Sequence, residues 1–181
     1  AARPDAASIE VREAPSVLVS AVFADGYAPG DADEAVQIWN VGTLDAALGG
    51  WSVAAGRGSA VFPPSATLAS GRWLWLAAEA DAFGEAFGHA PGWAWTSGGD
   101  AAVPRLVTRR GGPALANDGG TVVLTAADGS TADVVVYGSG TAIGWSGPPV
   151  TAYRTAAVGA ANQVLYRKFD PGDLLPVADT D

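Results

Sequence analysis

Residues 49–71 read GGWSVAAGRGSAVFPPSATLASG, and the fold turns on how this stretch is read. Trp51 and Val53 alternate with Ser52 and Ala54, the period-two pattern of a strand with one apolar face. Ala60 and Phe62 repeat the pattern in a second short strand. Gly56 and Gly58 lie between the two, where a tight reversal calls for positive φ. Pro63 and Pro64 end the pairing, because neither donates a backbone N–H to a ladder. The chain then turns through Thr67-Leu68-Ala69-Ser70-Gly71 into the apolar run RWLWLAAEA. By periodicity alone this is an antiparallel meander.

Strand patterns continue on both sides. Residues 16–23 form a strand with Val17, Val19, Ala21 and Phe23 expected on one face. Residues 25–33 are a Gly/Pro/Asp-rich loop. In 34–40, Val36 and Ile38 oppose Gln37 and Trp39, and 42–49 reads as a loop or a single helical turn. In 72–79 both faces are apolar, Trp73/Trp75 and Leu74/Leu76, so that strand should be covered on both sides. Phe83 and Phe87 stand at helical spacing in 80–87. Residues 88–112 are the least regular part, and a connection of that length is either functional or ordered by its own side chains. Residues 121–125 and 133–137 flank an Asp128-Gly129 hairpin turn. The pattern breaks at 138–149, and 162–169 has the look of one more strand. Residues 1–15 read as a tail or linker with a short pairing segment at Ile9-Glu10-Val11. The expected organisation is a tail at 1–15, a β domain at 16–140 and an extension at 141–181.

Composition agrees. The 181 residues are 49% hydrophobic with seven Trp, enough for one core, and 24 Gly with 12 Pro suit short strands and turns. The net charge of −9 disfavours a phosphate backbone as partner unless the arginines cluster. There is no Cys, hence no disulfide framework and no thiolate chemistry. No apolar run reaches membrane-spanning length. The start, Ala1-Ala2-Arg3-Pro4, fits a mature terminus after signal-peptide removal, loss of an initiator Met, or an excised boundary.

The order of signals is more specific than any one of them. A strand carrying Glu34, Ile38 and Asn40 precedes Gly50-Trp51 and Val53. Phe62-Pro63-Pro64, Thr67-Leu68 and Gly71 then lead into an apolar strand. Farther on, Leu115-Ala116-Asn117-Asp118-Gly119-Gly120 opens a hairpin that ends at Tyr137-Gly138. Over roughly 16–140 this set resembles the lamin tail domain. The resemblance implies an immunoglobulin-like β-sandwich of the kind found in nuclear lamins and in secreted bacterial proteins. Where bacterial members usually carry an aromatic and then a second Glu after the first, this chain has Ala35 and Gln37. The resemblance also implies a secreted or cell-surface setting and further protein beyond Asp181.

Few residues suggest chemistry. His89 is the only histidine, and no nucleophile-elbow pattern surrounds Ser97 or Asp100 beside it. Glu79, Asp81 and Glu85 could pair as acid and base, but Asp81 suits the first turn of a helix and Glu85 a solvated face. Asp25, Asp31, Asp33 and Glu34 bound one loop; clustered oxygens suit Ca²⁺, although the spacing is not that of an EF-hand and an acidic solvated turn is the plainer account. Asp170, Asp173, Asp179 and Asp181 have linker composition. Arg105, Arg109 and Arg110 could hold a phosphate or carboxylate, or could pair with the chain's own acids. Trp73 with Trp75, or Trp93 with Trp95, could form a carbohydrate-stacking platform if exposed; burial in a core is the commoner fate.

The sequence therefore predicts an all-β, immunoglobulin-like sandwich of about seven to nine strands with one short helix. Its core should comprise Val17, Val19, Phe23, Val36, Ile38, Trp51, Val53, Phe62, Leu74, Leu76, Val122, Leu124, Val134 and Val136. The expected function is a non-catalytic accessory domain for localisation or partner binding in a secreted multidomain bacterial protein. The alternatives are a carbohydrate- or Ca²⁺-dependent binding module and a small hydrolase. No catalytic residue is expected, Ca²⁺ is the one cofactor left open, and the partner is an unidentified protein or cell surface.

Overall fold

The computed structural model describes residues 16–142 and 162–168. Expectations for Ile9-Glu10-Val11 and for the acidic tail from Asp170 lie outside the described residues.

In chain order the strands are β1 (Val17–Phe23), β2 (Ala35–Asn40), β3 (Ala46–Ala47), β4 (Ser52–Ala55), β5 (Gly58–Val61), β6 (Thr67–Leu68) and β7 (Trp73–Ala77). After helix α1 (Ala80–Phe87) come β8 (Trp93–Ala94), β9 (Val107–Arg109), β10 (Gly119–Thr125), β11 (Thr131–Gly138) and β12 (Val164–Tyr166). One sheet has the order β12-β1-β2-β7-β8, the other β11-β10-β4-β5-β9, and β3 pairs with β6 alone. The strands outnumber the expectation because β3, β6, β8, β9 and β12 are short pairings of two or three residues, below what periodicity resolves. Residues 42–49 thus hold a strand rather than a helical turn.

The two five-stranded sheets share one core. Val17, Val19, Val22, Val36, Ile38 and Leu76 from the first meet Val53, Ala60, Val122, Leu124 and Tyr137 from the second. Each fully buried Val, Leu, Ile or Phe contributes about 1.5–3 kcal/mol by leaving water. Most of the expected core is in place, with Trp51 and Leu74 only partly buried against it. Val134 and Val136 are buried, but their pairing with Val123 and Thr121 puts them on the opposite face from Val122 and Leu124.

The outer face of the first sheet is covered by α1. Ala21, Phe23, Ala35, Trp75 and Ala77 pack with Phe83, and Phe87 lies against them. Phe83 and Phe87 stack at 4.3 Å, with Phe23 edge-on to Phe87 at 5.1 Å. The helix spans the residues that its spacing marked, and stops where Gly88 turns left-handed and returns its N–H to the Gly84 carbonyl. Hence β7 is apolar on both faces from Trp75 onward, while Trp73, beyond the helix, is 54% exposed.

Two local expectations change. The register of β1 shifts between Val19 and Ala21, so Val17, Val19 and Val22 face the inter-sheet core while Ala21 and Phe23 face the helix. A single-residue bulge flips every later side chain, which strict alternation cannot anticipate. In the β4–β5 hairpin only Gly56 takes positive φ, at 61°. Gly58 pairs with Ala55 inside the ladder, and a Cβ there would lie 1.8 Å from the Gly112 carbonyl oxygen. Its value is close approach of two backbones, not turn geometry. The fold is an all-β immunoglobulin-like sandwich with one short helix.

Candidate functional site

Polar side chains gather at three places, and the first is the acidic loop. Asp33 is fully buried, and its two carboxylate oxygens accept the backbone N–H groups of Tyr27 and Ala28 at 2.8 and 3.2 Å. It therefore holds the loop's own backbone. Asp25 accepts from the Asn117 side-chain amide at 3.1 Å, and Asp31 takes a φ of 55° at the tight turn. Among the described residues no three His, Cys, Asp or Glu side chains are grouped so as to hold a metal ion.

Glu34 lies at the head of β2, is 9% exposed, and accepts the Leu115 N–H at 3.1 Å. Burial pushes its carboxyl up to about 7, the Leu115 N–H pulls the other way, and the charges of Asp31 and Asp33 add to the rise. Nearby, the Tyr137 hydroxyl donates to the Ala116 carbonyl at 3.0 Å. Burial raises that phenol above its ordinary range, with the charges of Glu34 and Asp118 reinforcing it. Glu34, Leu115 and Tyr137 stand far apart in the chain, yet β2, the 113–118 segment and β11 bring them together. A carboxyl near 7 has the proton affinity of a general base. Here its one hydrogen bond goes to a backbone amide, and its neighbours are acids and a phenol rather than a nucleophile.

The second place is the segment between α1 and β9. Arg105 donates to the carbonyls of Val103, Gly98, Gly99 and Asp100 at 2.6, 2.9, 3.4 and 3.0 Å. Its guanidinium is the scaffold of an otherwise irregular loop, an arrangement suited to its five fixed donors. Asp81 holds the same loop from the helix by accepting the Asp100 N–H at 2.7 Å. His89 is exposed, with Nδ1 3.0 Å from the Ala90 carbonyl and its ring edge-on to Phe83. Trp95 is 4% exposed, and Trp93 packs edge-on against Phe62 at 5.8 Å, so the two do not form an exposed platform. Arg109 and Arg110 are exposed beyond this loop.

The third place escaped sequence reading. Asp133, on β11, is buried at 8% exposure and reaches across to the first sheet. Its Oδ2 accepts the Val19 N–H at 2.8 Å and pairs with Arg167 at 2.5 Å. Arg167 also donates to the Val19 carbonyl at 3.3 Å, and its N–H goes to the Ser20 carbonyl at 2.9 Å. The backbone groups that the β1 bulge frees are thereby satisfied. Beside them the Ser20 hydroxyl donates to Gln37 Oε1 at 2.8 Å. A lone Asp at the head of a Val-rich strand was the only sequence signal, and it reads equally as a solvated strand end.

Asn40 is fully buried and ties four backbone groups. Its amide donates to the Leu44 and Leu68 carbonyls at 2.8 and 3.0 Å, and its oxygen accepts from Ser16 and Gly42. Asn40, Glu34 and Tyr137 thus have architectural occupations. A family model described as Lamin Tail Domain matches residues 10–139. No curated protein matches the chain.

Proposed function

The chain belongs to the lamin tail domain family, a family of non-catalytic immunoglobulin-like domains, and from that premise we propose that it is an accessory domain for localisation or partner binding in a secreted multidomain bacterial protein. The observation that supports this reading is the employment of the polar side chains. Asp33, Glu34, Asn40 and Arg105 spend their hydrogen bonds on the chain's own backbone, and Asp133 spends its own on the Val19 N–H and the Arg167 guanidinium. A sandwich built so acts as a carrier, and its exposed surface is left to meet a partner.

The test is retention. A fluorescent fusion of the whole chain, exported by a bacterial host, should stay with the cells, while the fluorescent protein alone passes into the medium. The purified chain should give no turnover of nitrophenyl phosphate, nitrophenyl glycosides or duplex DNA above buffer. Release of the fusion with the control, or turnover that survives purification and disappears on Glu34→Gln, would overturn the reading.

A further inference from the structure

Charge is segregated along this chain. No Asp or Glu occurs from 46 to 78 or from 101 to 117, although the protein has 19 acids and a net charge of −9. Those two acid-free segments supply β4, β5 and β9, which lie side by side at one end of the second sheet. Val53, Ala55 and Ala60 point into the core. The alternate residues therefore line the outer face, where the register pairs Ser59 with Arg109 and Val61 with Val107. Arg109 is exposed, and Val107 is 60% exposed on the outermost strand of that sheet.

Arg57 occupies the β4–β5 turn and is exposed. A Cβ on Gly58 beside it would lie 3.1 Å from the Arg110 carbonyl oxygen, so the turn and the chain leaving β9 are in backbone contact. Arg110, Gly111 and Gly112 take successive positive φ values of 53°, 87° and 91°, a fixed reversal that keeps Arg110 at this corner. The ion pair among the described residues is that of Arg167 with Asp133; Arg57, Arg109 and Arg110 enter none. Three exposed arginines thus lie at one corner, with no ion pair among the described residues, next to exposed aliphatic surface in an otherwise acidic protein.

We propose that the corner formed by Arg57, Arg109 and Arg110 binds an extended acidic peptide segment of a partner protein, with Val61 and Val107 contacting its aliphatic side chains. The inference rests on the binding role proposed above and names the surface and the partner's chemistry. Guanidinium groups match carboxylates bidentately. A peptide fits better than a nucleic acid, because three charges neutralise little of a polyphosphate while the remaining surface repels it.

Fluorescence anisotropy tests this with the whole chain and a labelled eight-residue peptide alternating Glu and Val. Saturable binding should weaken about tenfold for each of Arg57→Glu, Arg109→Glu and Arg110→Glu, and should weaken with added salt. Arg72→Glu, exposed at the head of the other sheet, should leave it unchanged. Thermal melts of each variant verify folding. Lack of binding at millimolar protein, or binding indifferent to all three reversals, overturns the proposal. So does tighter binding of a single-stranded oligonucleotide that the same variants lose. If Arg57→Glu/Arg109→Glu fusions remain on cells as wild type does, the corner is wrong and the accessory role stands.

Discussion

Glu34 is the residue at which fold and proton chemistry meet. It heads β2, it is buried, and one N–H from Leu115 is its hydrogen-bond partner. Because its folded-state pKa is about 7 against an ordinary 4.5, the native state binds this proton more tightly than the unfolded chain. The stability it supplies is fully present below pH 4.5 and is lost as pH rises through about 7. Glu34→Gln keeps an acceptor for Leu115 and removes the ionisation. Thermal melts of both proteins between about pH 4 and pH 8 should show the wild type losing roughly 5 °C more than the variant. Superimposable pH profiles would mean that Glu34 does not carry the effect. The sequence marked Glu34 as part of a family pattern and as an acidic-loop ligand. Its real partner lies 81 residues away, a distance that no local spacing reveals.

At the level of elements, strand positions were legible wherever alternation ran for four or more residues, as in β2, β4, β7, β10 and β11. Helix α1 was legible from two phenylalanines one turn apart. What alternation could not convey is the bulge in β1, because the extra residue is stabilised from outside the strand. Asp133 on β11 and Arg167 after β12 supply the partners for Val19 and Ser20. This ties three strands from two sheets at one point. Asp133→Ala leaves the Val19 N–H and a partly buried guanidinium without their acceptor, at a cost of about 3 kcal/mol. Asp133→Asn, which retains an acceptor, should cost less. Urea denaturation monitored by tryptophan fluorescence measures both; equal midpoints for Asp133→Ala and wild type would show that the tie contributes nothing. Residues 88–112 had been open to either a functional or a self-ordered reading. Arg105 decides for order, since its guanidinium is taken up by the carbonyls of its own loop.

Across the described residues, the acids of the acidic loop are already engaged. Asp33 is occupied by two backbone amides, Asp25 by Asn117, and Glu34 holds a proton near neutrality. Ca²⁺ should therefore leave the melting temperature unchanged up to about 5 mM. Real binding at a hundredfold excess over Kd would add about 2.7 kcal/mol, and a saturable rise abolished by chelator would restore the loop as a metal site. The sequence by itself determined the all-β class, the short helix, most of the core and the family, because these rest on local periodicity and on an ordered set of turn and anchor residues. Only the tertiary structure decided what the polar side chains do. Hydrogen bonds and ion pairs need partners within about 3 Å. Strand pairing joins residues remote in sequence, so Glu34 reached Leu115, Asp133 reached Arg167, and Gly58, next to Arg57, met the Arg110 backbone only when the strands paired.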